Sequence, residues 1–221
     1  MLVLKADNVI KSFGETTIIN GVDVELQSGE YASIMGRSGS GKSTLLKVLC
    51  GLLEVDSGDV VVDGYDITKL KGKQKSIFRS SIIGVVFQDN NLLPDFNVKD
   101  NILVPMYISK QKINNEYYES LLAIVGLKGH DHKFPNQLSG GMQQRAAIAR
   151  ALIAKPKIIF ADEPTGNLDS KTEKEIIELF KDINKKLGTT ILQVTHSDAL
   201  ARSSSRIIVI DDGKIINEGK K

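Results

Sequence analysis

The chain has 221 residues, 41% apolar and 25% charged. That is the make-up of a globular protein able to build a core without disulfides or a structural metal. A formal net charge of +2 lacks the basic excess of a nucleic-acid binder, so no nucleic-acid partner is expected. No run approaches the roughly 18 apolar residues that span a bilayer, and the opening MLVLKADNVIKSF lacks the charged and long apolar regions of a signal peptide. The expectation is a cytoplasmic protein that reaches a membrane only through a partner.

In chain order, the first 30 residues and Asp59 to Ile67 read as antiparallel strands flanking a main sheet. Glu30 to Met35 is a β-rich run that leads directly into a glycine-rich loop, and a helix carrying Leu45, Leu46, Val48 and Leu49 follows. The lone Cys50 ends that apolar stretch and reads as a small buried core residue. Lys69, Lys71, Lys73, Lys75 and Arg79 form a basic run, taken as a solvated face rather than a contact with anionic lipid. Val60 to Val62, Ile82 to Phe87, Ile158 to Ala161 and Thr190 to Thr195 are further strand candidates. From about 90 to 154, helical patterns around Glu116 to Val125 and Met142 to Ala154 dominate. His130-Asp131-His132 lies there in a polar stretch and reads as exposed rather than metal-binding.

A further helix opens at Ser170, with Glu173 at capping-box spacing. Ile176, Phe180, Ile183 and Leu187 give it one apolar face, and Gly188 stops it. Ile207 to Ile210 and Lys214 to Asn217 flank the turn signal Asp211-Asp212-Gly213 and read as a hairpin. Strands alternating with helices indicate an α/β fold with a mainly parallel sheet. The expected organisation is one domain over 1–221. Core and β subdomain occupy about 1–89 and 155–221, and a helical subdomain packed against the core is inserted at about 90–154.

Three motifs carry chemistry. Gly36-Arg37-Ser38-Gly39-Ser40-Gly41-Lys42-Ser43 matches G-x-x-x-x-G-K-[ST] in full, between a strand and a helix as the motif requires. Its glycines let successive N–H groups turn inward onto phosphate oxygens, and the positive end of the following helix faces the same place. The loop therefore binds a nucleoside triphosphate, read as ATP with Mg²⁺. Lys42 reaches the β- and γ-phosphates, Ser43 ligates Mg²⁺, and Thr44 closes the contact set. The second motif is Asp162-Glu163, at the end of the apolar run Ile158 to Ala161, where ligands bind in open α/β sheets. Side chains alternate along a strand, which assigns Asp162 to the Mg²⁺ shell and Glu163 to polarising an attacking water. In the third, Leu138-Ser139-Gly140-Gly141-Met142-Gln143-Gln144-Arg145, Ser139 can cap a helix whose apolar face includes Met142, Ala146, Ala149 and Ile153. Two glycines bare its first N–H groups, making either a second anion site or a plain capped helix start.

Together these motifs resemble an ATP-binding cassette (ABC) ATPase over nearly the whole chain. Leu138 to Arg145 resembles the family's signature sequence. The resemblance implies a P-loop NTPase fold and a head-to-tail homodimer. ATP on the P-loop of one protomer would be closed over by Leu138, Ser139, Gly140, Gly141 and Gln143 of the other. It also implies that Gln88 is the glutamine that contacts Mg²⁺ and faces a membrane partner, and that Asp169, in Gly166-Asn167-Leu168-Asp169, links the two sites. His196 would contact the γ-phosphate and orient the water, and Phe13 would stack on adenine. The wording of Phe87 to Pro94 and of Asp162 to Asp169 resembles the macrolide-exporter, lipoprotein-release and cell-division group. That implies an integral-membrane permease partner and ATP-driven export, lipoprotein release or antimicrobial-peptide resistance. The alternative is a nucleotide-gated regulator with no transported substrate.

Overall fold

A computed structural model describes residues 1–220. The N-terminal strands β1 (Leu2–Phe13) and β2 (Thr16–Gln27) form a long antiparallel pair. They join β4 (Ser57–Val62) and β5 (Tyr65–Asp66) in an antiparallel sheet of order β2-β1-β4-β5. Their inward residues, among them Leu4, Ala6, Val22, Val24, Leu26, Val60 and Val62, are buried. This is the period-2 burial of a sheet packed on one face.

The second sheet comprises β3 (Tyr31–Met35), β6 (Ile83–Phe87), β7 (Ile158–Asp162), β8 (Thr190–Val194), β9 (Arg206–Asp211) and β10 (Lys214–Lys220). Its order is β10-β9-β3-β8-β7-β6. All its pairings are parallel except the β9–β10 hairpin at one edge. The Asp212-Gly213 pair closes that hairpin with φ of 45° and 70°, the two-residue turn that matches strand twist. Because β3, β8 and β7 are neighbours, the loops leaving their C-terminal ends converge. Ligands bind at that edge of a parallel sheet.

Helix α1 (Lys42–Leu49) packs under the antiparallel sheet, where Leu45, Leu46, Leu49 and Cys50 join one core with Leu4, Ile34 and Ile208. A second core lies on the other side of the parallel sheet. There α3 (Val98–Ser109), α4 (Asn115–Val125) and α5 (Gly140–Leu152) meet α6 (Ser170–Leu187) through Ile102, Leu121, Ala149, Ile159 and Phe180.

Two helices lacked a readable signal. Helix α2 (Gly72–Ser81) carries the basic run, which thus lies partly on a helix. Lysines at every second position hide a 3.6-residue period, and its N-cap, Lys71, makes no side-chain cap bond. Helix α3 contains Pro105, whose missing N–H normally argues against a helix interior. Its start is capped by Asn97, whose side chain accepts from the Asp100 N–H at 2.8 Å. The capping box expected at Ser170 is corrected. Asp169 is the N-cap of α6, its Oδ1 accepting from Lys171 and Thr172 N–H at 3.0 Å each. The short helix α7 (Asp198–Ala201) follows β8.

Candidate nucleotide site

The glycine-rich loop turns from β3 into α1. Gly41 takes φ of 98°, and a Cβ there would come within 2.9 Å of the Ile18 carbonyl oxygen, so only glycine fits. The start of α1 has no side-chain cap, which leaves its first N–H groups for another acceptor. Lys42 is buried, and its Nζ donates to the carbonyls of Gly36 at 2.9 Å and Arg37 at 2.8 Å. The loop's own backbone thus pre-shapes it around the ammonium. Ser43 Oγ donates to Asp162 Oδ1 at 2.8 Å, joining α1 to the end of β7 across 119 residues of sequence.

Glu163 adopts φ of 47°, a left-handed conformation costing a non-glycine residue on the order of 1–3 kcal/mol. Its N–H is held by the Val194 carbonyl at 2.9 Å, so the strained residue is pinned to β8. Its carboxylate meets His196, whose Nδ1 lies 2.7 Å from Glu163 Oε2. Phe13 stands at the rim, 52% exposed, with the Lys11 ammonium 5.6 Å from its ring centre. Phe13, Ser38, Gly39, Gly41, Lys42, Ser43, Thr44, Glu163 and His196 line one cleft of about 690 Å³, within the size range of small-molecule sites. Ile18 lines it too, a residue with no motif to announce it.

Other sequence-predicted residues lie elsewhere. Gln88 is exposed and absent from the cleft lining. Its Nε2 donates to Asn167 Oδ1 at 3.0 Å, while Asn167 Nδ2 donates to Asp89 Oδ1 at 3.0 Å. Gly166 makes room for this contact, since a Cβ there would come within 2.7 Å of Gln88 Nε2. The segment after Gln88 is tied down from the other side. Arg150 donates to the carbonyls of Asn90 and Asn91 at 2.6 Å each, and both residues have positive φ.

The Ser139–Gly141 helix start does not line the cleft. Ser139 Oγ accepts from the Met142 N–H at 3.3 Å and caps α5 as anticipated. Ser139 and Gly140 are exposed, whereas Leu138 is buried. Gln143 turns back onto the preceding loop, donating to the Pro135 carbonyl at 2.9 Å. Asp169 also accepts from the Thr172 hydroxyl at 2.6 Å. That bond, with two backbone N–H donors, holds its carboxyl below the ordinary aspartate range. Glu173, freed from capping, instead accepts from Ser197 Oγ at 2.7 Å. Asn167 lay inside the Gly166 to Asp169 motif without a role of its own, and Ser197 lay in no motif.

Among the described residues, no group of three or more His, Cys, Asp or Glu is placed to hold a metal ion. The Ser43–Asp162 pair nevertheless fits a divalent cation of the magnesium type. It offers a hydroxyl and a carboxylate oxygen beside an anion-binding helix start, and such ions use one or two protein oxygens together with phosphate and water.

A family model described as ABC transporter matches residues 19–166. The chain is 44% identical over 219 residues to the lipoprotein-releasing system ATP-binding protein LolD of Cytophaga hutchinsonii, covering 97% of this chain and 99% of that one. It is 42% identical over 224 residues to the bacitracin export ATP-binding protein BceA of Halalkalibacterium halodurans, covering 99% and 88%. Among solved structures it is similar to the ATP-binding cassette MJ0796 in a dimeric post-hydrolysis state bound to ADP and Pi. The TM-score is 0.88, with 38% identity and 98% of both chains covered.

Proposed function

The chain belongs to the ABC transporter family, and from that premise we propose how its residues divide the work of a transporter ATPase. It is an ATP-binding, ATP-hydrolysing subunit of the lipoprotein-release and antimicrobial-export type, acting as a dimer with a membrane permease. Among the described residues, no helix is long and apolar enough to cross a membrane. As a transporter ATPase of this family, the subunit is proposed to work from the cytoplasmic face, held there by the permease.

In the proposed cycle, adenine stacks on Phe13 and the phosphates enter the loop Gly36 to Ser43. Lys42 exchanges the Gly36 and Arg37 carbonyls for phosphate oxygens, with Arg37, Ser38, Gly39, Ser40 and Gly41 supplying backbone N–H donors and Thr44 finishing the cradle. Ser43 and Asp162 would hold Mg²⁺, with Gln88 joining once released from Asn167. When bound, that ion would neutralise charge on the β- and γ-phosphates.

Glu163 then takes a proton from water as its oxygen attacks the γ-phosphorus and the bond to the β-phosphate oxygen breaks, leaving ADP and phosphate. His196 orients that water and the carboxylate beside it. The site is completed head-to-tail: Ser139, Gly140 and Gly141 of a second copy, backed by its Leu138 and Gln143, close over the γ-phosphate. Asp169 signals between the two sites.

The observation that supports this reading is the floor of the cleft. The Ser43–Asp162 contact at 2.8 Å and the Glu163–His196 contact at 2.7 Å lie beside the same uncapped helix start. The test is Glu163→Gln. ATP affinity should be kept, hydrolysis lost, and a stable dimer formed on ATP in size-exclusion chromatography. Turnover at the wild-type rate would remove Glu163 from the role given to it.

A further inference from the structure

The His196 side chain is 67% open to solvent, against 21% for Glu163, the carboxylate it contacts. The position of His196 therefore depends on the backbone that carries it. On one side that backbone is locked to the parallel sheet. Thr195 N–H donates to the Ile34 carbonyl at 3.1 Å, and Ser197 N–H to Thr195 Oγ1 at 2.9 Å. Helix α7 is tied down by a buried polar network. Gln193 Nε2 donates to the Leu200 carbonyl at 3.0 Å and to Ser33 Oγ at 2.7 Å, and Tyr31 OH donates to Gln193 Oε1 at 2.8 Å.

The other side faces α6, and the side-chain bond there is from Ser197 Oγ to Glu173 Oε1 at 2.7 Å, partly buried and made to a carboxylate. Glu173 sits in the first turn of α6, its N–H donating to the Asp169 carbonyl at 2.8 Å. A continuous path therefore runs from the loop at Asp169, through Glu173 and Ser197, to His196 and on to Glu163.

We propose that Glu173 and Ser197 are positioning residues. Their hydrogen bond fastens the His196 loop to the Asp169 end of α6, so that displacement of that loop by a second copy reaches the water-orienting histidine in the same chain. The proposal rests on the role given above to His196. It assigns a task to two residues that touch neither the nucleotide cleft nor, by any motif, its chemistry. A hydrogen bond to a charged group is the stronger kind and tolerates little lengthening, so the link transmits a shift rather than absorbing it.

The test is steady-state ATP hydrolysis by the full chain, with ATP affinity and thermal midpoint measured beside it. Ser197→Ala also removes the α7 cap, in which Ser197 Oγ accepts from Leu200 N–H at 3.3 Å. Glu173→Ala leaves that cap intact and is the cleaner variant. Each should lower kcat about tenfold, the factor that goes with loss of one hydrogen bond to a charged group, while KM for ATP stays within about twofold. The double variant should be no slower than the worse single one. Glu173→Gln and Ser197→Thr keep the acceptor and the donor and should restore most of the rate.

In a His196→Ala background, Ser197→Ala should change nothing further. Additive losses, failure of the conservative variants to restore the rate, or a further loss without His196 would each overturn the proposal while leaving His196 in its role. A His196→Ala variant with wild-type turnover would instead remove the underlying reading, and this proposal with it.

Discussion

Helices α1 and α5 both start at glycine-rich sequence, yet their first turns are left in opposite states. The start of α1 has a glycine N-cap with φ of 98° and no side chain satisfying its N–H groups. It opens into a cleft walled by Phe13, Glu163 and His196. The start of α5 is capped by Ser139 and stands exposed. The first helix start is therefore a site by virtue of its surroundings within one chain. The second has the chemistry of an anion site but does not line that cleft. That asymmetry supports the proposed shared site, in which each chain would contribute one enclosed half and one presented half.

The largest expected effect leaves both helix starts untouched. Glu163→Gln should lower kcat by about 10²–10⁴-fold, the usual worth of a positioned general base, with ATP binding intact in an equilibrium titration. The next separates the two halves. Gly140 is exposed, and a Cβ there would meet only Leu168, at 3.9 Å. Gly140→Asp should therefore fold normally and bind ATP normally on its own α1. It should lose about 10²–10³-fold in hydrolysis, because a carboxylate now meets the partner's γ-phosphate where donors are needed. Its neighbour makes the control. A Cβ on Gly141 would fall 2.5 Å from Thr172 Cγ2, so Gly141→Ala should disturb the packing of α5 on α6 and lower the thermal midpoint. If Gly140→Asp instead weakens ATP binding by the isolated chain, the presented half is not shared in the way proposed.

A smaller effect probes the rim. Phe13→Ala should raise KM for ATP by about fivefold, the low end of base–aromatic stacking for a half-exposed ring, with kcat little changed. Phe13→Tyr should be neutral. A fall in kcat without a change in KM would move Phe13 out of the binding role.

How much of this was legible in sequence depended on the range of the contact. The loop Gly36 to Ser43, the strand end Asp162-Glu163 and the cap at Ser139 are local patterns in which each residue's neighbours define its task. Likewise the Asp211 to Gly213 turn announced its hairpin. The order β10-β9-β3-β8-β7-β6 was not written locally, because parallel neighbours are joined through helices far along the chain. The same holds for Gln88 against Asn167, 79 residues apart, and for Ile18 in the cleft. Helix α2 was hidden by alternating lysines and α3 by Pro105. At Ser170 the local pattern misled: a capping-box spacing was present, but Asp169, one residue earlier, offered a carboxylate to the N–H groups of Lys171 and Thr172, and a charged acceptor outcompetes a hydroxyl.

That substitution of caps adds a third helix start to the comparison and gives the smallest prediction. Helix α1 is open, α5 is closed by a neutral hydroxyl, and α6 is closed by the anion of Asp169. The Thr172 hydroxyl first, and then the backbone N–H groups of Thr172 and Lys171, lower its pKa. A carboxyl whose pKa is depressed on folding contributes stability that is complete above its unfolded value, about 3.9. That contribution fades as pH falls through the folded value. Asp169→Ala should therefore lower the denaturation midpoint modestly at pH 7, and the gap from wild type should close as the pH is taken below 4. Asp169→Asn keeps an acceptor but has no proton to gain, so its own midpoint should lack that acid-side component. Because the carboxylate is exposed to solvent, salt should also shrink the wild-type advantage. A gap that widened toward acid would mean that Asp169 is better bonded when protonated, and α6 would then be capped by a hydrogen-bond donor rather than by the charge that sets it apart from α1 and α5.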